Sequence, residues 1–139
     1  MRRLLALLLA PTPRRVSLAA TVLRVAAGAI LIGFGLSKYL HHAREAQAFD
    51  RYGLPWPNEF AYVTGTVELV FGTLLVLGVA TRLAALILAG NMVGAIATGG
   101  RVDGGFVNLG LAPALLAVML VLIWLGGGRF AADRRIALR

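Results

Sequence analysis

The 139-residue sequence contains no cysteine. This absence excludes a disulfide framework, a thiolate metal site and any mechanism in which the protein carries electrons through its own dithiol. Charged residues are also scarce, at 14% of the chain, whereas 59% of the residues are hydrophobic. A soluble domain of this length cannot bury so much apolar surface, so the composition favours a protein that spans a membrane.

Four apolar runs account for most of the hydrophobic content, and each is close to the ~20 residues that a helix needs to cross a bilayer. Backbone groups in hydrocarbon must be hydrogen-bonded within their own segment, and the alternation typical of a barrel is absent, so the runs are predicted to be helices. The predicted fold class is all-α, an integral membrane bundle of four transmembrane helices in a single domain, residues 1–139. The helices are expected at about residues 16–38, 59–79, 82–99 and 106–126.

The net charge of +8 is unevenly distributed along the chain. Nine arginines lie before the first helix, in the turn between the second and third, or after the fourth, and the positive-inside rule therefore places both termini in the cytoplasm. Attraction to anionic lipid is a secondary role for this charge, and nucleic-acid binding is disfavoured because no soluble basic domain exists. The nine are Arg2, Arg3, Arg14, Arg15, Arg82, Arg129, Arg134, Arg135 and Arg139.

Two charged residues lie inside the first two predicted helices, where a charge costs roughly 2.5–3.5 kcal/mol on insertion scales. Arg24 in the first helix and Glu68 in the second each share a helical stripe with glycines. We expect the two stripes to face each other and the two charges to form a pair. Asn91 of the third helix comes to nearly the depth of Glu68. The sequence thus predicts an intramembrane polar cluster of Arg24, Glu68 and Asn91.

This cluster has two interpretations. It is either a structural clamp, in which a buried ion pair specifies packing, or a pocket for a quinone, a small anion or a proton relay. Arginine does not realistically lose its proton, so any acid–base role falls on Glu68. Nearer the external side, Lys38, Glu59 and Asn108 are expected at the mouth of the bundle, although a snorkelling lysine and a solvated carboxylate are the simpler interpretation.

The long loop between the first two helices contains a stretch of helical composition, residues 43–52, which we interpret as a lid over the external end. His41 and His42 would point about 100° apart on a helix, so a shared metal is disfavoured and no metal site is predicted. Gly90 and Gly94 form a GxxxG motif that indicates close helix contact and permits a homo-oligomer. Pro113 is expected to bend the fourth helix.

In their order and spacing, several short motifs resemble the DoxX family of bacterial and archaeal membrane proteins, over about residues 22–136. Members often carry a histidine after helix three and an acid at the start of helix four, where this chain has Thr98–Gly100 and Asn108. The motifs are Arg24 with Gly28, Gly33, Gly35 and Lys38; Gly53-Leu54-Pro55; Gly65-Thr66-Val67-Glu68 with Gly72, Gly78, Thr81 and Arg82; and the closing segment from Gly126 to Asp133.

The resemblance implies a multi-pass protein of the prokaryotic cell membrane that is associated with redox systems. Some relatives are named as subunits of thiosulfate:quinone oxidoreductases, and others are membrane partners of soluble enzymes that act against thiol stress. The leading hypothesis is therefore a membrane subunit of an oxidoreductase assembly that holds a quinone or a similar lipid-soluble molecule near Arg24, Glu68 and Asn91, with no covalent cofactor. Because the chain has no cysteine, flavin motif or haem-ligand pattern, a partner must supply any electrons.

Two alternatives stay open, and so does the question of whether the chain is itself an enzyme. The first is a non-catalytic scaffold that docks soluble redox enzymes on its basic cytoplasmic face. The second is a small-solute carrier with Glu68 as its coupling proton site, which is disfavoured because inverted repeats are absent. The docking residues of the first alternative are Arg82, Arg129, Arg134 and Arg135.

Overall fold

A computed structural model describes residues 17–128 and 130–133 of the chain. Four of its helical segments are long and apolar enough to cross a membrane, and the described residues contain no strand. The all-α membrane fold predicted from the apolar runs is therefore confirmed. The helices are α1 (Ser17–Leu40), α2 (His42–Arg51), α3 (Pro57–Leu77), α4 (Thr81–Ala97), α5 (Gly99–Val102) and α6 (Ala112–Leu125), the last preceded by a π-helical turn (Val107–Leu111).

The membrane-spanning helices pack chiefly as two antiparallel pairs, α1 with α3 and α4 with α6. In the first pair, the glycine stripes of the two helices face each other as predicted. A Cβ atom on Gly28 would lie 2.7 Å from the carbonyl oxygen of Gly72, and one on Gly35 would lie 2.8 Å from that of Gly65. The two backbones thus touch at two levels, which fixes the register of α1 on α3.

The turn between α3 and α4 is closed by a residue from the far end of the sequence. Gly78 ends α3 in the left-handed conformation, with φ of 72°. The carboxylate of Asp133 then accepts hydrogen bonds from the backbone N–H groups of Ala80 and Thr81, at 2.5 and 2.9 Å. These are donors that the first turn of a helix cannot satisfy internally, so Asp133 acts as a remote cap of α4.

Pro113 falls in the first turn of α6, directly after the π-helical turn. A proline has no N–H to donate to the carbonyl four residues earlier, and its ring clashes with that carbonyl in a regular helix. The wider π turn accommodates both effects. The irregularity expected at this position is present, as a local widening of the helix.

Gly90 and Gly94 of α4 do not make the close helix contact that their motif suggests. A Cβ atom added to either would meet no heavy atom within 4 Å, and both residues are exposed. Within the described chain, this face of α4 is therefore not covered by another helix.

The α1–α3 contact makes a paired prediction about two glycines of the same helix. Gly35→Ala places a methyl group against backbone atoms of α3 and should lower the free energy of unfolding by about 1–3 kcal/mol. Gly33→Ala is the control, because a Cβ there meets nothing within 4 Å and should change stability by no more than about 0.5 kcal/mol. Denaturant unfolding in detergent micelles measures both, and equal effects would contradict the packing.

Candidate functional site

A cavity of about 510 Å³ lies between α1, α3, α4 and the start of the fourth span, beneath the short helix α2. Sites for small molecules have volumes of about 300–1,000 Å³, apolar walls and a few convergent polar groups. This cavity matches that description in volume and in the character of its walls. Its aromatic and aliphatic walls include Phe34, Phe49, Phe60, Leu111 and Leu115, and its polar lining includes Lys38, Thr64, Glu68, Asn91 and Asn108.

Glu68 is the centre of the polar lining and is only 4% exposed. Its Oε2 atom accepts a hydrogen bond from Lys38 Nζ at 2.8 Å, and its Oε1 atom accepts one from Asn91 Nδ2 at 2.9 Å. Each carboxylate oxygen therefore has a donor, and the buried negative charge has a counter-charge. The predicted contact between Glu68 and Asn91 is present.

The cluster keeps hydrogen-bonding capacity for a ligand. An ammonium group has three protons to donate, and among the described residues Lys38 donates only to Glu68. The amide oxygen of Asn91 accepts from no residue in that part of the chain. Both residues line the cavity, so a bound molecule could accept from Lys38 and donate to Asn91 or Glu68.

The predicted ion pair between Arg24 and Glu68 is wrong. Arg24 does not line the cavity; its Nη1 atom donates to the carbonyl oxygens of Leu75 and Val76, both at 2.5 Å. The physical reason is that helical side chains lean toward the N-terminus of their own helix. Because α1 and α3 are antiparallel, Arg24 and Glu68 lean in opposite directions, whereas Lys38 and Glu68 lean toward each other.

Arg24 instead contacts the end of α3 at the opposite end of the bundle. It is 2% exposed and donates to carbonyl groups of the last turn of α3, of which that of Leu75 also accepts from the backbone N–H of Gly78 at 3.1 Å. The closing segment packs here as well, since a Cβ on Gly78 would lie 2.6 Å from Ala131 Cα and 2.8 Å from Arg24 Nη1. Sequence reasoning missed the cap from Asp133, which is 52 residues from Thr81 along the chain and carries no local motif.

The three residues expected at the mouth have separate positions. Lys38 points inward to Glu68, whereas Glu59 is exposed and does not line the cavity, as expected of a solvated carboxylate. Asn108 does line the cavity, and its Nδ2 atom donates to the carbonyl oxygen of Gly104 at 3.3 Å. The lysine was misplaced because its flexible stem reaches below the level of its own Cα.

The helix α2 covers the cavity where the sequence predicts a lid. Arg51 Nη2 donates to Asp103 Oδ2 at 2.9 Å, and the Tyr52 hydroxyl donates to the same oxygen at 2.7 Å. These donors hold the pKa of Asp103 below its ordinary value. Burial and the hydrogen bond to Asp103 raise the pKa of Tyr52 to about 12. The Tyr52 hydroxyl therefore remains a donor at neutral pH, and the end of α2 is latched to the segment after α5.

The adjacent histidines, for which no metal site is predicted, and the arginines proposed for docking lie in different surroundings. The His42 ring stacks on Tyr62 with centroids 3.8 Å apart, so it serves in packing. Arg82 Nη2 donates to the carbonyl oxygen of Trp124 at 3.2 Å. Arg129, Arg134 and Arg135 lie outside the described residues, and docking through these arginines stays a prediction.

The fold and this site define a class of protein, a four-helix membrane bundle with a buried ion pair in a lidded cavity. The chain matches the DoxX family model over residues 19–101, more than half of its length. It therefore belongs to the DoxX family, as its motifs suggest.

Two curated relatives are similar over most of their length. An uncharacterized membrane protein of Mycobacterium tuberculosis, Rv3486, is 36% identical over 131 residues, which cover 84% of this chain and 80% of the relative. A Bacillus subtilis protein named "Putative oxidoreductase CatD" is 34% identical over 111 residues, which cover 80% of this chain and 81% of the relative. No solved structure matches the chain.

The observed pairing predicts which charges are energetically coupled. Lys38→Met leaves Glu68 buried without its counter-charge and should cost about 3–5 kcal/mol of stability. Adding Glu68→Leu should recover much of that loss, because the two penalties have one origin. The control cycle, Arg24→Leu with Glu68→Leu, should be additive, since these side chains do not touch. Unfolding free energies of the five variants and the parent decide this, and coupling in the Arg24 cycle would contradict the geometry.

The contact of Arg51 and Tyr52 with Asp103, here called the latch, predicts how mobile the lid helix α2 is. Because the pKa of Asp103 is lowered by folding, its contribution is present at neutral pH and is lost as the pH falls below the ordinary carboxyl value of ~4. At neutral pH, Asp103→Asn should accelerate hydrogen exchange of the α2 backbone. Asp50→Asn is the control, because Asp50 is an exposed acid on the same helix. Equal exchange rates in both variants would show that the latch does not hold α2.

Proposed function

We propose that this DoxX protein is the ligand-binding membrane subunit of an oxidoreductase assembly, and that the ligand is a quinone or a similar lipid-soluble molecule. The observation that carries the proposal is the buried trio of Lys38, Glu68 and Asn91 on the wall of a cavity large enough for a small molecule. Ionisable groups at membrane depth are expensive, and a buried pair that also lines a cavity has a use beyond packing.

The chemistry of the trio suits a quinone head group. A quinone presents carbonyl oxygens, which can accept from the free protons of Lys38. A quinol presents hydroxyl groups, which can donate to the oxygens of Asn91 or Glu68. The half-buried rings of Phe34, Phe49 and Phe60 supply apolar walls on which a flat ring can pack.

Interconversion of quinone and quinol moves electrons and protons in equal number, and this chain can handle only the protons. Lys38 and Glu68 form the buried ion pair that lines the cavity, and they are the groups we propose to exchange protons with the ligand. Without cysteine the chain has no dithiol of its own, so the electrons must come from a partner protein or a partner's cofactor. The name of the Bacillus subtilis relative supports an oxidoreductase context. We place both termini, and the partner, on the cytoplasmic side of a prokaryotic cell membrane, following the distribution of arginine.

Ligand binding is tested by thermal unfolding of the protein in lipid nanodiscs with and without a long-tailed quinone. The parent should be stabilised, by about 2.7 kcal/mol when free quinone reaches a hundred times its Kd. Glu68→Gln should weaken binding by about tenfold, because the neutral amide removes the counter-charge of Lys38 and reorients the site. Each variant is compared with its own ligand-free sample, because the substitution also changes intrinsic stability.

Glu59→Gln provides the matched control, since Glu59 is an exposed carboxylate outside the cavity. It should bind the quinone as the parent does. Absence of any quinone-dependent shift in the parent would overturn the proposed function. An equal loss of binding in both variants would show that the ligand does not use the buried trio.

A further inference from the structure

The cavity reaches a surface of the bundle that faces lipid. Gly90 and Gly94 of α4 line the cavity, and both are also exposed. Gly90 lies nine residues into a span that begins at Thr81, or ~14 Å from that end, so its exposed surface is within the hydrocarbon layer. The cavity therefore has an opening at membrane depth, in addition to the end that α2 covers.

The opening lies along the crevice between α3 and α4. Asn91 reaches across this crevice to Glu68 of α3. On a helix with 100° per residue, Gly94 falls between Asn91 and Gly90 around the circumference of α4. A path from the buried trio to the lipid thus passes Gly94 and then Gly90, and neither has a side chain to obstruct it.

The two openings of the cavity differ in the side chains that surround them. At the aqueous end, Arg51 and Tyr52 of α2 hold Asp103 through the latch described above. At membrane depth, a Cβ atom on Gly90 or Gly94 would meet no atom within 4 Å. The lid narrows the aqueous end of the cavity, where Arg51 and Asp103 are themselves exposed, whereas no side chain of Gly90 or Gly94 narrows the end at membrane depth.

We propose that the crevice past Gly94 and Gly90 is a lateral portal for the ligand. A single-tailed amphiphile enters from the bilayer, places its polar head against Lys38, Glu68 and Asn91, and leaves its apolar tail in the crevice. This inference rests on the proposed function and narrows it. The ligand class is a long-tailed, bilayer-dissolved molecule such as an isoprenoid quinone, and water-soluble anions and solutes do not fit this route.

The test uses a reagent that reports access to Glu68 without requiring a quinone. Dicyclohexylcarbodiimide dissolves in the bilayer, whereas a cationic, water-soluble carbodiimide approaches from the aqueous end. Each activates a carboxyl group, and mass spectrometry counts both the Glu68 adduct and the Lys38–Glu68 cross-link. In the parent, reconstituted in nanodiscs, the lipid-soluble reagent should modify Glu68 faster than the water-soluble one.

Gly90→Leu and Gly94→Leu, singly and together, place a side chain in the portal. A Cβ atom at either position meets no heavy atom within 4 Å, so the backbone has room for the new side chain to begin. The double variant should slow modification by the lipid-soluble reagent about tenfold, with no change in the slower aqueous reaction. Gly33→Leu is the control, because Gly33 is equally open and exposed but does not line the cavity. It should react as the parent does.

Three results would overturn the portal. Glu68 in the parent could resist the lipid-soluble reagent, or the double variant could react as fast as the parent. Alternatively, slowed reaction could accompany loss of a cross-linkable dimer, which would assign the two glycines to contact with a second copy of the chain. A native monomer–dimer distribution unchanged by the substitutions supports the portal.

Different results would reject the portal and the proposed function. If the parent shows no quinone-dependent thermal shift while carbodiimide access still depends on Gly90 and Gly94, the function falls and the portal stands. If quinone binds the parent and the leucine variants equally, the ligand reaches the trio by another route. A second readout compares quinones with and without a tail, since the double variant should lose affinity mainly for the long-tailed form.

Discussion

The close contact between α1 and α3 is the constraint on which the rest of the structure depends. Glycines at two levels let the two backbones approach closely. At Gly28 and Gly35 of α1, a carbonyl oxygen of α3 lies 2.7 and 2.8 Å, respectively, from the place where a Cβ atom would otherwise lie. In a bilayer there is no hydrophobic force to hold helices together, so backbone proximity and packing provide the association. The contact also sets the register of the two helices, and that register decides which side chains meet at each depth.

Register and side-chain direction together separate the charges of the two helices. Lys38 and Glu68 converge because each leans toward the N-terminus of its own helix, and these helices run in opposite directions. Arg24 leans the other way and reaches the carbonyl end of α3. One packing interface therefore has two different polar ends. The end with Arg24 and Asp133 holds helix termini together, and the end with Lys38 and Glu68 opens onto the cavity.

The cavity combines an aqueous side covered by a lid with the lateral portal proposed above. The lid is held by a carboxylate that accepts from two neighbouring residues, Arg51 and Tyr52, at the C-terminal end of α2. The lateral side is formed by glycines whose faces no other described helix covers. The proposed portal and the proposed function both call for a ligand that partitions into the membrane. In this proposal, the GxxxG motif of α4 borders the portal instead of packing against another helix of the described chain.

The sequence by itself determined the four membrane-spanning helices, the facing glycine stripes, the position of the lid and the contact between Glu68 and Asn91. These follow from segment length, helical periodicity and depth, which are local or one-dimensional properties. Tertiary structure alone decided that Lys38 rather than Arg24 neutralises Glu68, that Asp133 caps α4, and that Gly90 and Gly94 border an opening. The reason is geometric. The depth of a residue along the membrane axis does not determine the direction in which its side chain leans, and it does not determine contacts between residues that are distant in the chain. Those are fixed only when the helices are packed against one another.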